Sequence, residues 1–317
     1  MRFKEKIVHF YQIDPNDNAF RITTEKQVDD LMVSIKHVGI LNLPLLLEKE
    51  ETYTIINGFR RIEACRRLNW STLKAMVLDS NTMRLTCIKY AITENAFQRP
   101  LNIIEKSRAI EMLSHFFKDI NRLSEELTVL GIYEHPSMIN KLKEICHLPD
   151  PLQNSIISNK ISLAMVLELA GMSWDDAKGF INLFNTLKLG LNKQREIVTL
   201  VKEIAMREDI SIIQVIEEPH VKKILMNEDL DKNQKAHNIR IYLKKRRFPT
   251  IAVSEKTYED YCQKLNLERG LKLIPPTNFE SPTFTLQLNF KNTDQLKSLK
   301  SSFDALIENP YLRKIVD

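Results

Sequence analysis

The stretch that most restricts how this 317-residue chain can fold is "TIINGFRRIEACRRLNW", residues 54 to 70. Thr54-Ile55-Ile56 reads as a strand, Asn57-Gly58 as a turn, and a helical pattern carrying Arg60, Arg61, Arg66 and Arg67 begins at once. A strand that turns straight into a helix exposes the first helical N–H groups. These lack intrahelical partners and sit at the positive end of the helix dipole. Asn-Gly permits the tight turn and leaves room for a ligand to approach the backbone. Phosphate oxygens suit such a site, and Arg60 and Arg61 would add charge-assisted bonds. The residues alone leave a second reading open, in which the arginines are a solvated helix face paired with Glu63.

The flanking pattern fits a mixed domain. "KIVHFYQID" reads as a strand ending at Asp14-Pro15, and residues 24–39 as an amphipathic helix with Val28, Leu31, Ile35 and Val38 on one face and Gly39 as its stop. "LPLLLEKEETYTIING" gives two strands around an acidic turn. The helix from Phe59 to Leu68 buries Ile62, Cys65 and Leu68, and "TLKAMVLD" is a further strand. A helix from about Met83 to Phe97 stops before Pro100. Asn102 and Glu105 then have capping-box spacing, opening a helix with Ile103, Ile110, Leu113 and Phe117 inward. To about residue 216 the chain reads as short and medium helices, one of which buries Leu191, Ile197, Val198, Val201, Ile204 and Ala205.

Only seven glycines argue against an all-β architecture, and 43% hydrophobic with 27% charged residues fits a globular chain. The net charge of +5 permits a nucleic-acid partner without requiring one. No apolar run is long enough for a membrane helix, and "MRFKEKIVHFYQIDP" lacks the apolar core of a signal peptide. Four scattered cysteines without a CxxC pair speak against zinc and disulfides. A cytoplasmic protein without a membrane partner is the expectation.

A second constellation bears on the anion. Glu94-Asn95 closes one helix and Arg99 lies in the break before the next. A carboxylate beside phosphates is repulsive unless a hard cation lies between, and Mg²⁺ accepts one or two carboxylates plus phosphate oxygens. Glu94 would hold the metal and Arg99 a phosphate oxygen, although Glu94-Asn95 could equally be a plain helix end.

Here "SIKHVGILNLPLLLEKEETYTIINGFRRIEACRRLNW", followed by "ITENAFQRPLNIIEKSRAIEML", resembles the N-terminal domain of ParB-type chromosome and plasmid partition proteins. Gly58-Phe59-Arg60-Arg61 matches that family's GERR-type motif, and Glu94-Asn95 through Leu101-Asn102-Ile103 its ENxxR…LNP segment. The likeness covers roughly residues 7 to 172. It implies an α+β ParB/sulfiredoxin-like N-terminal domain (1–100) and an all-α helix-turn-helix-like middle (101–216); beyond the likeness the residues themselves read as a charged linker or surface helices (217–247) and a small α+β C-terminal unit (248–317), mainly helical overall. It also implies CTP and Mg²⁺ as ligands, with Asn57, Gly58, Arg60 and Arg61 around the triphosphate, Arg99 on a further phosphate oxygen, Glu94 on the metal and Asn95 coupling nucleotide to movement. Such proteins dimerise, close as a clamp around DNA, associate with the nucleoid and work with a ParA-type ATPase. The chain departs from the pattern at Phe59 and Glu63, at Arg99, which lies one position late, and at Ile103, which replaces a proline. Any CTP hydrolysis is left in doubt by these changes.

For DNA, helix Ser124–Leu130, a turn at Gly131 and a recognition helix Pro136–Cys146 stand where the family has its helix-turn-helix. Ser137, Asn140, Lys141 and Lys143 face outward as DNA contacts, with Met138, Ile139, Leu142 and Ile145 inward. A helical bundle that no longer reads bases is the other reading. "YLKKRRFP" is a basic run that could touch the DNA backbone or be ordinary surface. Enzymes on the same scaffold are the alternative class. A sulfiredoxin would need a cysteine at Phe59, a small-molecule kinase a carboxylate base near the turn, and a nuclease a metal-binding cluster; none is visible. A scaffold or transcriptional protein without nucleotide binding also remains open.

Overall fold

The computed structural model describes residues 3–316 and divides into two compact units between Trp174 and Asp175. The first unit is built on a four-stranded sheet of order β1-β4-β2-β3. Its strands are β1 (Lys4–His9), β2 (Leu45–Lys49), β3 (Thr52–Asn57) and β4 (Thr72–Leu78). β4 pairs antiparallel with β1 and parallel with β2, and β2 and β3 form a hairpin that turns at Glu50, the acidic turn expected there. β1 ends at His9, opposite Thr72 at the start of β4, and Phe10–Gln12 closes into a 3₁₀ turn instead of extending the strand to Asp14.

Three helices cover this sheet: α1 (Asp29–Val38), α2 (Phe59–Arg67) and α3 (Arg84–Gln98). α2 is buried from two sides. Ile62 packs with Val8, Leu46, Ile55, Leu73 and Val77 of the sheet, while Ala64 and Cys65 pack against Val28 and Ile35 beside α1. With a period of 3.6 residues, that leaves the arginines at the free edge of the helix. Leu68 is half-buried, and Val38, expected on the buried face of α1, is 63% exposed because Gly39 (φ +86°) turns the chain away there.

The same unit continues without a break into α4 (Ile103–Ser114), α5 (Ile120–Val129), α6 (Pro136–Lys143), α7 (Asp150–Ile157) and α8 (Leu163–Ala170). The capping box at α4 is complete. Asn102 accepts from the Ile104 and Glu105 amides at 3.0 Å, and Glu105 accepts from the Asn102 amide at 3.1 Å. α5 begins at Ile120, capped by Asp119, four residues before the expected Ser124. α6 stops at Lys143 and gives way to a 3₁₀ turn, Ile145–His147, rather than running to Cys146. The cause is a buried hydroxyl: Ser107 of α4 accepts from the Cys146 amide at 2.8 Å and donates to the Leu142 carbonyl, holding the chain off the helical path.

The second unit holds α9 (Trp174–Thr186), α10 (Leu191–Glu208), α11 (Ile212–Ile216), α12 (Pro219–Met226), α13 (Lys232–Arg247), α14 (Pro249–Leu265), β5 (Leu271–Ile274), β6 (Thr285–Leu288), α15 (Thr293–Ile307) and α16 (Pro310–Val316). Residues 217–247 are not a linker. α12 and α13 bury Val221, Ala236, Ile239 and Leu243, and α13 packs along α10. The period there was hidden by charged residues that turn out to be paired. The basic run ending α13 faces acids of α10: Arg240 meets Glu196 at 2.6 Å, Lys244 meets Glu196 at 2.9 Å and Arg247 meets Glu203 at 2.6 Å, while Arg246 pairs with Glu208 and Glu218. "YLKKRRFP" is therefore largely an ion-pair seam, in which Arg246 and Arg247 are half-buried and paired while Lys244 and Lys245 stay exposed. The C-terminal part is α+β as expected, with β5 and β6 antiparallel over Leu265, Leu271, Leu273, Leu299 and Leu306. β5 is a strand the sequence reading lacked. No helix among the described residues is long and apolar enough to cross a membrane.

Candidate functional site

Gly58 carries the chain from β3 into α2 with φ +84° and ψ +19°, the left-handed region. A Cβ there would lie 2.6 Å from Cβ of Pro44, so only glycine fits both the angle and the space. No side chain caps the N-terminus of α2, and no acid lies in its first turn. The amides that open the helix thus face a cleft of about 230 Å³ lined by Gly58, Arg60, Arg61, Glu94, Asn95 and Arg99, with Thr23, Asn42 and Gln98 at its walls. The β3–α2 turn and the C-terminal end of α3, more than thirty residues apart in sequence, meet here.

Arg61 sits deepest. Its guanidinium donates to Glu94 Oε1 at 2.8 Å, to the Leu43 carbonyl at 3.2 Å and to the Asn42 carbonyl. Arg60 donates to the Gln27 carbonyl at 3.0 Å and pairs with Glu25 at 2.9 Å. Glu94 Oε1 also accepts from Gln98 at 3.2 Å, whereas Glu94 Oε2 is buried with no partner among the described residues. An unpartnered carboxylate oxygen beside two guanidinium groups fits a hard cation whose other ligands come from a polyphosphate. No group of three or more His, Cys, Asp or Glu able to hold a metal by itself occurs among the described residues.

Other expected ligands do different work. Asn57 is buried and does not line the cleft; its Oδ1 accepts from the Leu45 amide at 3.0 Å and stabilises the irregular step between β2 and β3. Its expected place at the triphosphate is thereby corrected. Asn95 lines the cleft while donating to the Ala91 carbonyl one turn back at 2.8 Å. Arg99 reaches the cleft but is clamped by Glu105, with both bonds at 2.7 Å. Burial pushes the Glu105 carboxyl up, yet bonds from Arg99 and from the Thr24 and Asn102 amides outweigh it and hold the group below the usual carboxylate range. Arg66 and Arg67 follow the plainer reading: both face Glu63, Arg67 at 2.9 Å. Cys65 is fully buried, its thiol pushed up to about 11 by burial, so α2 offers no nucleophile of the sulfiredoxin kind.

The sequence reading missed Thr23, Asn42 and Gln98. Gln98 was findable, being one turn after Glu94 on the same helix face. Thr23 and Asn42 lie in connecting segments without periodicity. Of the proposed DNA contacts, Ser137, Asn140 and Lys141 are exposed on α6 and Lys143 is half-buried, with Ile139 and Leu142 beneath them. Met138 is half-buried.

A sheet whose β3 turns through a glycine into an arginine-bearing helix, facing a second helix that presents an acid, defines an α+β domain with a polar cleft at the start of that helix. Residues 4–96 match the family model of the ParB N-terminal domain. The chain is similar to a nucleoid occlusion protein of Halalkalibacterium halodurans, 27% identical over 163 residues, 50% of this chain and 56% of that protein. It is also similar to a probable chromosome-partitioning protein ParB of Campylobacter jejuni, 25% identical over 200 residues, 62% of this chain and 69% of that protein. Among solved structures, a C-terminally truncated chromosome-partitioning protein ParB from Caulobacter crescentus, complexed with CTP-gamma-S, is 21% identical, with 57% of this chain and 98% of that chain covered and a TM-score of 0.27.

Proposed function

We propose that the protein binds CTP with Mg²⁺ in the cleft at Gly58 and acts as a nucleotide-gated clamp on DNA in chromosome or plasmid partition. The observation that supports the nucleotide half is the meeting of the uncapped α2 N-terminus, Arg60 and Arg61 with the unpartnered oxygen of Glu94. The α2 amides and the two guanidinium groups would hold the phosphate tail. Arg61, now donating to Glu94, would turn part of its fork to phosphate, leaving the Glu94 carboxylate to the metal. Bound there, Mg²⁺ would neutralise charge on the triphosphate beside Glu94. The preference for cytosine rests on the family resemblance alone. The DNA half is supported by the exposed Ser137, Asn140 and Lys141 on α6, whose opposite face is buried. A homodimer and a ParA-type partner follow from the resemblance.

The test is a titration with each of the four nucleoside triphosphates, with and without Mg²⁺. CTP-selective binding that Arg60→Ala abolishes, and that loses its magnesium dependence in Glu94→Ala, supports the reading. Equal affinity for all four would remove the cytosine preference. Absence of binding by any of them would leave a protein-contact scaffold.

A further inference from the structure

A second hollow of about 430 Å³ lies in the first unit, between the segment 18–26 and α4, and is lined by Arg21, Lys26 and Arg108 together with the Thr23 and Thr24 residues. Arg108 is fixed to its wall by bonds to the Ile22 carbonyl at 3.3 Å and the Thr23 carbonyl at 2.9 Å, both from one nitrogen. Its remaining N–H groups have no partner among the described residues. Among the described residues the Arg21 guanidinium donates to Asn18 at 3.2 Å and lies over the ring of Phe59. Lys26 is exposed at the rim.

These three cations differ from most arginines of the unit in their surroundings. Arg60, Arg61, Arg67 and Arg99 each meet a carboxylate. Among the described residues none lies within ion-pair distance of Arg21, Lys26 or Arg108. The nearby acids are otherwise engaged: Asp17 accepts from the Ala19 and Ile55 amides, and Glu25 pairs with Arg60. Glu111 also lines the hollow, and its Oε1 lies 3.5 Å from Nε2 of both His115 and His147. Three cations therefore share the space with one carboxylate. Burial, and next the like charge of Arg21, pull the pKa of Arg108 below its ordinary value and outweigh the opposite charges of Glu105 and Asp150, neither of which forms an ion pair with it.

We propose that this hollow is a second anion site that takes a phosphate group, either of a small phosphate compound or of a nucleic-acid backbone. None of its three cations lines the cleft at Gly58, so the site does not depend on the triphosphate reading.

The experiment uses the full chain and inorganic phosphate as probe, followed by calorimetry, with a short duplex of arbitrary sequence in a second arm. Lys26→Gln and Arg21→Gln should each weaken phosphate binding roughly three- to tenfold, the scale of one ordinary net hydrogen bond. Because the Gly58 cleft is itself proposed to hold phosphate, both variants are measured in the Arg60→Ala background, where the phosphate binding that persists is that of the hollow. Arg108→Gln should weaken it further, but Arg108 also pins the 22–23 segment, so the exposed Lys26 variant, with an unaltered melting temperature, is the deciding one. If the duplex loses about one unit of salt slope in Lys26→Gln, the phosphate is that of a nucleic-acid backbone. If duplex binding is unaltered while phosphate binding falls, the ligand is a small phosphate compound. Phosphate affinity unaltered in both Lys26→Gln and Arg21→Gln, its loss in Arg60→Ala, or no phosphate binding by the unmodified protein overturns the proposal.

Discussion

Two helices of this chain carry dense arginine clusters, and they place them at opposite ends. α2 puts Arg60 and Arg61 in its first turn, where the helix dipole is already positive and the turn itself has no acid, so that their partners, Glu25 and Glu94, come from other segments. α13 puts Lys244, Lys245, Arg246 and Arg247 in its last turn, where the dipole favours cations, and supplies Glu196, Glu203 and Glu208 of α10 as partners. The first arrangement sets its cations against the dipole and places two ion-paired guanidinium groups on a cleft. The second stabilises its own fold. Arginine density alone therefore says little about ligands; position along the helix and whether the cations line a cleft decide.

The sharpest way to break this contrast is at Gly58. Gly58→Val combines a left-handed backbone with a Cβ 2.6 Å from Pro44, and should cost about 3 kcal/mol together with the cleft's triphosphate affinity. A urea melt reads the first loss and a CTP titration the second. An unchanged midpoint would mean that the turn is not held as described, and with it the aim of the α2 amides.

Arg99 lies between the two cases, lining the cleft yet clamped by Glu105. Because the folded Glu105 carboxyl sits below its usual range, it contributes stability that is present above the unfolded value near ~4.3 and is lost as the pH falls below it. Glu105→Gln should lower stability by about 2 kcal/mol near neutrality and flatten the acid limb of a stability–pH curve. If the variant keeps the acid limb of the unmodified protein, Arg99 is held by something else and is freer to meet a ligand than its geometry indicates.

Arg246→Ala tests the other end. It strips partners from Glu208 and Glu218 at a partly buried seam, and about 1–2 kcal/mol of stability should go with no change in CTP affinity. A variant of normal stability that binds DNA more weakly would reverse the assignment of the basic run from ion-pair seam to nucleic-acid surface.

How much of this was legible beforehand follows the same physics. The strand–glycine–helix unit, the Asn102–Glu105 capping box and the apolar faces of α2 and α10 rest on local spacing, and local spacing is written in the sequence. Gly58, Arg60, Arg61, Glu94, Asn95 and Arg99 do line one cleft. Asn57 was misplaced because an Asn-Gly turn signal does not tell whether the amide faces ligand or strand. Glu105 read only as a cap, since its bonds to Arg99 and Thr24 join segments that spacing cannot connect. The seam of α10 and α13 was missed for a related reason. Arg240 and Glu196 are forty-four residues apart, and a charged helix face looks solvated until its partner is known.

The smallest expected effect is at Lys245, which stands in the middle of that seam with no ion-pair partner among the described residues. Lys245→Ala should change stability by less than about 0.5 kcal/mol, as an unpaired surface cation does. Arg247→Ala, one turn edge away and joined to Glu203 at 2.6 Å, should exceed it measurably. Comparing the two melts isolates pairing from mere charge, because each removes one cation from the same helix end and the same dipole. Equal losses would mean that the favourable helix end, rather than the α10 carboxylates, is what retains these residues. The distinction drawn between α2 and α13 would then rest on the dipole alone.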